Sequence, residues 1–135
     1  MRNLLFIFIL VLPFVSSSTA FSQTKTPPKT EQEIKTLLCH KWKLTAMEAK
    51  GQKVELPPDM GNSFVSFKND GTLVETDEGK DYQGRWTYDH RTMTLTTNDK
   101  DGIENQKIVK ISEVELIIKS KWQEITMNLI MKRVD

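Results

Sequence analysis

One cysteine and two histidines stand among 135 residues, and each scarcity excludes something. A lone thiol admits no internal disulfide, so the packing must hold without covalent staples. A soft-metal site needs three or four ligands, more than Cys39 and His40 can supply between them. Charge of either sign is not in excess, with 19 basic residues against 18 acidic ones. That balance argues against nucleic acid or an anionic membrane surface as the main partner. A long apolar run is also missing: "LLFIFILVLPFV", Leu4 to Val15, carries Pro13 and falls well short of the about 20 residues a spanning helix needs.

What is there begins with export. Arg2, the short apolar run and the small residues of "SSSTAFSQ" have the layout of a secretory signal peptide. Ala20 and Ser22, the small residues, fit cleavage after Ser22 best, giving a signal segment over 1–22, with cleavage after Ala20 as the alternative. No cysteine lies near that site, which excludes lipid attachment there, so the mature chain is expected free in the periplasm or outside the cell, with no membrane insertion. Loss of Arg2 brings the basic residues level with the 18 acidic ones. The remaining length suits one domain with one core.

"QTKTPPKT" (23–30) is polar and Pro-rich and reads as an extended leader. The domain is expected over 31–135. Thr30 and Glu33 form a capping-box pattern, and Ile34, Leu37 and Leu38 give the short helix after it a single apolar face. From Lys41 the period falls to two, with Trp42, Leu44 and Ala46 on one face. Short strands follow in "SFVSFK" (63–68), "TLVETD" (72–77), "YQGRWTY" (82–88), "MTLTTN" (93–98), "IENQKIVKIS" (103–112), "VELIIKS" (114–120) and "EITMNLIMKR" (124–133). "NDG" (69–71), "DHRT" (89–92) and "KDG" (100–102) supply turn chemistry between them. Only Ala49 to Asn62 reads as a long irregular connection. Eight antiparallel strands in meander order point to an all-β, up-and-down barrel, since closure removes exposed edges, and the helix is expected to close one end of it.

Several of these stretches carry a family likeness. "HKWKL" at the first strand, "SFKNDGTL" (66–73), "GRWTYD" (84–89), "TMTLTTNDKDG" (92–102), "KISEVELII" (110–118) and the closing "MKRVD" occur in an order and spacing that resembles the small bacterial lipocalin-like family. One position departs from it: His40 stands where such proteins usually have a glycine two places before the first-strand tryptophan. The resemblance implies a secreted up-and-down barrel of the calycin type, with relatives described mostly as binders of small apolar molecules or as having no known role, and it implies no catalytic residue at any position; no cofactor is expected.

The candidate chemistry is thin. Cys39 next to His40 at a helix end reads as a buried structural thiol rather than a nucleophile with its base. "NDKDGIE" (98–104) has a calcium-loop flavour, but aligning Gly102 with the required glycine puts Thr97 and Ile108 at ligand positions, so no metal site is expected there. Glu75, Asp77, Glu78 and Asp81 read as surface charge beside lysines and turns.

Following strand directions from a closed base at Trp42 gathers the 49–62 connection and the loops 78–81, 99–102 and 121–123 at the opposite, open end. The mouth is then edged by Leu56, Met60, Tyr82 and Trp122, the expected ligand contacts. The inward set of Trp42, Leu44, Trp86, Leu95, Ile125, Met127 and Leu129 is bulky, so a cavity should be small. At the base, Arg133 and Trp42 are expected to meet in a cation–π contact; pairing a first-strand tryptophan with a late basic residue is also what the lipocalin-like resemblance implies. The leading function is a non-enzymatic binder of a small, mostly apolar molecule. The alternative is a protein-interaction module with a filled barrel and an exposed Trp122, Met60 and Leu56 patch.

Overall fold

The computed structural model describes residues 28–58 and 62–135. The expected signal segment, most of the leader and Met60 lie outside these residues. Helix α1, Glu31–Leu38, starts with the full capping box: the Thr30 hydroxyl accepts from the Glu33 amide at 3.2 Å, and the Glu33 carboxylate accepts from the Thr30 amide at 2.8 Å. Its apolar face buries Ile34 and Leu38 in the core.

Among the described residues nine strands follow: β1 Lys41–Ala49, β2 Gln52–Glu55, β3 Phe64–Phe67, β4 Thr72–Asp77, β5 Lys80–Asp89, β6 Thr94–Asp99, β7 Gly102–Ile111, β8 Glu115–Trp122 and β9 Ile125–Arg133. Consecutive strands from β3 to β9 pair antiparallel, and β9 returns to β1 through Trp42↔Arg133, Lys43↔Lys132 and Leu44↔Met131. The ring β1, β3 to β9 is the expected eight-stranded barrel.

The ninth strand corrects the reading of 49–62 as irregular. Lys50 and Gly51 both take left-handed backbone (φ 52° and 74°), the conformation of a type I′ hairpin, and fold β2 back along β1. Every residue of β2 is exposed, so no apolar alternation marks it. The far edge of β1 is thereby divided: β3 holds it at Lys41 to Lys43, and β2 at Ala46 to Ala49.

A second correction concerns parity. The β1–β9 register shifts between Leu44 and Ala46, and such a bulge exchanges inside for outside. Ala46 and its partner Ile130 are buried, but apart from the main core cluster. That cluster gathers Ile34, Leu38, Trp42, Phe67, Leu73, Trp86, Tyr88, Leu95, Ile108, Ile111, Leu116, Ile118 and Met131. Leu44 and Leu129 pack against it, whereas Ile125 is exposed and Met127 half-buried.

Two indoles pin the base through their N–H groups, as buried tryptophans require. Trp42 donates to the Leu38 carbonyl at 3.0 Å, joining helix to barrel, and Trp86 donates to the Lys68 carbonyl at 2.9 Å, joining β5 to the 68–71 turn. Phe67 meets the Trp86 ring edge-on with centroids 5.7 Å apart. The hairpin of β8 and β9 is less well served. Gln123 and Glu124 both hold positive φ (45° and 67°), a turn that favours Asn-Gly and costs other L-residues roughly 1–2 kcal/mol each. The double substitution Gln123→Asn with Glu124→Gly is expected to stabilise the protein by about 0.5–1 kcal/mol net of glycine's extra unfolded-state freedom, seen as a higher midpoint in urea.

The Cys39–His40 junction is structural. Cys39 caps α1 through its amide to the Lys35 carbonyl, is half-buried rather than fully buried, and burial raises its thiol pKa. The Asp135 carboxylate gathers the junction: it accepts from the Lys41 amide at 3.1 Å and the Arg133 Nε at 3.0 Å, and lies 3.4 Å from the His40 Nδ1. Desolvation opposes ionisation there, yet the hydrogen bonds hold its pKa below the ordinary value. This corrects the expected Arg133–Trp42 contact. The two residues are cross-strand partners, but the guanidinium goes to Asp135 and, at 3.4 Å, to the Glu113 carbonyl. Among the described residues the cation–π contacts join Lys41 and Lys43 to Phe64, and Lys100 to Tyr82. A carboxylate two residues away offers Arg133 a charge-assisted bond that an indole face does not match.

A cavity with an apolar floor and an acidic collar

The barrel is not filled. A cavity of about 200 Å³ opens inside it, walled by Trp42, Leu44, Phe67, Leu73, Ile118, Leu129 and Met131 together with Ser63, Phe64 and Val65. Higher up the wall changes character to Glu75, Thr97, Asp99, Glu104 and Gln106. The inward residues of three strands run from apolar to polar as they rise from the base. In β4 they pass from Leu73 to Glu75, in β6 from Leu95 to Thr97 and Asp99, and in β7, read upward, from Ile108 to Gln106 and Glu104. Among the described residues no lysine, arginine or histidine lines the cavity.

Gly84 sets the width at this level. It pairs with Leu73 on one side, and on the other a Cβ added to it would lie 2.5 Å from the Asn98 carbonyl oxygen and 3.2 Å from the Asp99 Cα. Only a residue without a side chain lets β6 come so close.

The collar carboxylates feel one another. Burial raises the Glu75 pKa, and the negative charges of Asp99, Asp101 and Asp77 add to it against a partial offset from Lys100. Glu104 is raised by burial first and then by Asp99 and Asp101. Lys100 does not cap the group: its ammonium pairs with Asp77 at 3.6 Å and lies 3.8 Å from the Tyr82 ring centre. Gln106 donates its amide to the Glu104 carboxylate (3.1 Å) and to Ser120 (3.4 Å). Carboxylate oxygens of Glu75, Asp99 and Asp101 all lie within 4.8 Å of one another, close enough to share a cation.

The sequence reading is corrected here: Glu75 is not surface charge but part of the cavity wall. Its parity with Leu73 on β4 was the available signal, and Asp99 and Glu104 were missed for the same reason. The expected mouth residues stand elsewhere. Leu56 follows β2 and bonds its amide to the Thr45 carbonyl at 2.9 Å, Tyr82 is the cross-strand partner of Glu75, and Trp122 is 60% exposed opposite Ile125. None of these three is in the cavity wall.

The family model of the lipocalin-like domain matches residues 38–118. The chain belongs to the lipocalin-like domain family. A solved structure, the crystal structure of a lipocalin-like protein from Bacteroides uniformis, is similar with a TM-score of 0.53 at 14% identity, over 73% of this chain and 99% of that one. At that identity the likeness speaks for the barrel and not for a ligand. None of the curated proteins matches the chain. Among the described residues no helix is long and apolar enough to cross a membrane.

The collar gives this lipocalin-like barrel a defined pH response. Glu75 and Glu104 hold their protons more tightly when folded than in the unfolded chain, where the ordinary value is 4.5. The folded state therefore binds more protons in that window, and stability falls as pH rises from about 4.5 through the raised folded values. Replacing both by glutamine removes the repulsion. At pH 7 the double variant is expected to melt about 2–4 °C above wild type, a figure discounted for solvent screening of half-exposed groups, with the gain shrinking toward pH 4.5 in calorimetric scans.

Proposed function

We propose that the protein is an exported, non-enzymatic binder that holds one small, mostly apolar molecule inside its barrel. The observation that carries the reading is the cavity over Trp42, Leu44, Phe67 and Met131. An eight-stranded barrel leaves room for side chains or one small ligand, and a dry cavity of roughly 150 Å³ takes a molecule the size of benzene. About 200 Å³ thus suits a single ring with a short substituent and excludes long-chain lipids. A filled barrel serving only as an interaction module fits this less well, since that reading needs no space behind its exposed aromatic. Helix α1 acts as the stopper at the base, supported by the burial of Ile34 and Leu38 beside Trp42 and by the Trp42 bond to Leu38. Tyr82, the cross-strand partner of Glu75, borders the entrance, and Leu56, just past β2, and Trp122, at the end of β8, meet a ligand only as it enters. Export rests on Arg2, the apolar run and the small residues before Gln23.

The test is native mass spectrometry of protein recovered from its own cells, paired with titration by 2-phenylethanol followed through tryptophan emission. A retained small molecule, or a saturable change that disappears in Trp42→Phe, supports the reading. Neither one appearing would overturn it. N-terminal sequencing of the recovered protein should begin at Gln23, and an intact Met1 would count against export.

A further inference from the structure

We infer that the preferred occupant of the barrel carries a protonated amine on its apolar body, the ammonium seated among Glu75, Asp99 and Glu104 and the body lying on the Trp42 floor. The inference rests on the proposed cavity site and names the class of ligand it selects. Three carboxylates from β4, β6 and β7 face one cavity with an apolar floor and, among the described residues, no basic residue in its wall. Glu75 makes no hydrogen bond or ion pair among the described residues, and the nearest ammonium, that of Lys100, is engaged by Asp77 and Tyr82. Lys100 offsets the Glu75 charge only in part and makes no ion pair with it; a half-buried carboxylate without a direct partner is costly, and the ligand supplies that partner.

A second observation points the same way. Thr97 is only 7% exposed, lines the cavity, and its hydroxyl makes no hydrogen bond among the described residues. It sits between its β6 neighbours Leu95 and Asp99, at the level where floor gives way to collar. Directly across the strand pair is Glu104. Gln106, 8% exposed, spends its amide N–H groups on Glu104 and Ser120 and keeps its carbonyl oxygen for an incoming donor. An ammonium brings up to three N–H donors, and the collar offers acceptors on three sides. A divalent cation on Glu75, Asp99 and Asp101 is the competing occupant. It would leave out Glu104 and Thr97 and leave the apolar floor empty, so the wall as a whole fits an organic cation better.

Three probes that share one ring size separate the possibilities: 2-phenylethylamine, 2-phenylethanol and 3-phenylpropionate, each titrated into the protein by calorimetry at pH 7. The amine is expected to bind at least about tenfold more tightly than the alcohol, a preference typical of a charge-assisted over a neutral hydrogen bond, and the carboxylate not measurably. In the variant carrying Glu75→Gln and Glu104→Gln the ratio of amine to alcohol affinity should fall toward one. Glu55→Gln, which removes an exposed charge on β2, should leave that ratio unchanged. Because the double glutamine variant is expected to melt higher than wild type, lost preference in a protein that still melts cooperatively cannot be attributed to misfolding. Equal binding of amine and alcohol, or tighter binding of the carboxylate, overturns the inference while leaving an apolar binder. Failure of all three probes overturns the inference, and with no small molecule retained by the native protein it overturns the cavity reading as well. Calcium binding with displacement of the amine by calcium would assign the collar to a metal ion instead.

Discussion

Trp42→Ala is expected to remove about 3–5 kcal/mol of stability. The side chain is fully buried. Its ring is shared by the helix face, the first and last strands of the ring, and the cavity floor. Truncation leaves a void where those parts meet and removes the indole bond to the Leu38 carbonyl at 3.0 Å, leaving that oxygen only the His40 amide at 2.7 Å. Against a domain whose whole stability is about 5–15 kcal/mol, such a loss brings unfolding near working temperatures. Equilibrium urea denaturation measures it directly. A change below about 1 kcal/mol would mean that the base is held by something other than the tryptophan. Trp42→Phe keeps most of the volume but not the donor, and should fall between the two. Arg133→Ala should cost far less, because its guanidinium engages exposed carboxylate and carbonyl groups rather than the ring.

Gly84→Ala is expected to cost about 1–3 kcal/mol, a large penalty for one methyl group in mid-strand. The new carbon would sit 2.5 Å from the Asn98 carbonyl oxygen, and the obstruction is backbone, so no rotamer relieves it. Strand β6 must move away from β5, carrying Asp99 with it. The same substitution should therefore weaken any ligand held by the collar beyond what its loss of stability explains. Thr87→Ala, an exposed position on the same strand, serves as control and should stay within about 0.5 kcal/mol of wild type. A Gly84→Ala protein as stable as wild type would show that β5 and β6 can separate freely at that level.

The barrel was legible because its strands are written in period two and its turns in Gly-rich dipeptides. "TLVETD" supplied β4 to the residue, and "NDG" its turn. Strand β2 was not legible: four exposed residues bury nothing, and only the Lys50-Gly51 pair hinted at a hairpin. The β1 bulge was equally hidden, since Ala46 fits either face by size and the register shift is a property of two strands together. The acidic collar is the instructive miss. Glu75 reads by type as surface charge, and Asp99 and Glu104 fall in a stretch read only against a calcium loop, whereas parity with Leu73, Leu95 and Ile108 turns all three toward the cavity. Charge predicts exposure only where the interior is closed, and an open barrel mouth lets water reach an inward carboxylate. The Arg133 contact failed for another reason: the register was right, but the competing acceptor, Asp135, lies beyond the last strand.

The seam between β1 and β9 joins residues 41–48 to 128–133. The ring thus acquires its final interface only when segments some 80 residues apart find each other, and entropy charges that search before any native contact repays it. Meander hairpins from β3 to β9 can form locally in any order, but none of them creates an inside. The barrel's interior, its collar and its ligand seat come into being together at one late step. Until that step the chain offers β1 and β9 as two open edges, each able to accept a strand from another copy. Slow folding and a brief susceptibility to strand exchange are therefore built into the topology itself.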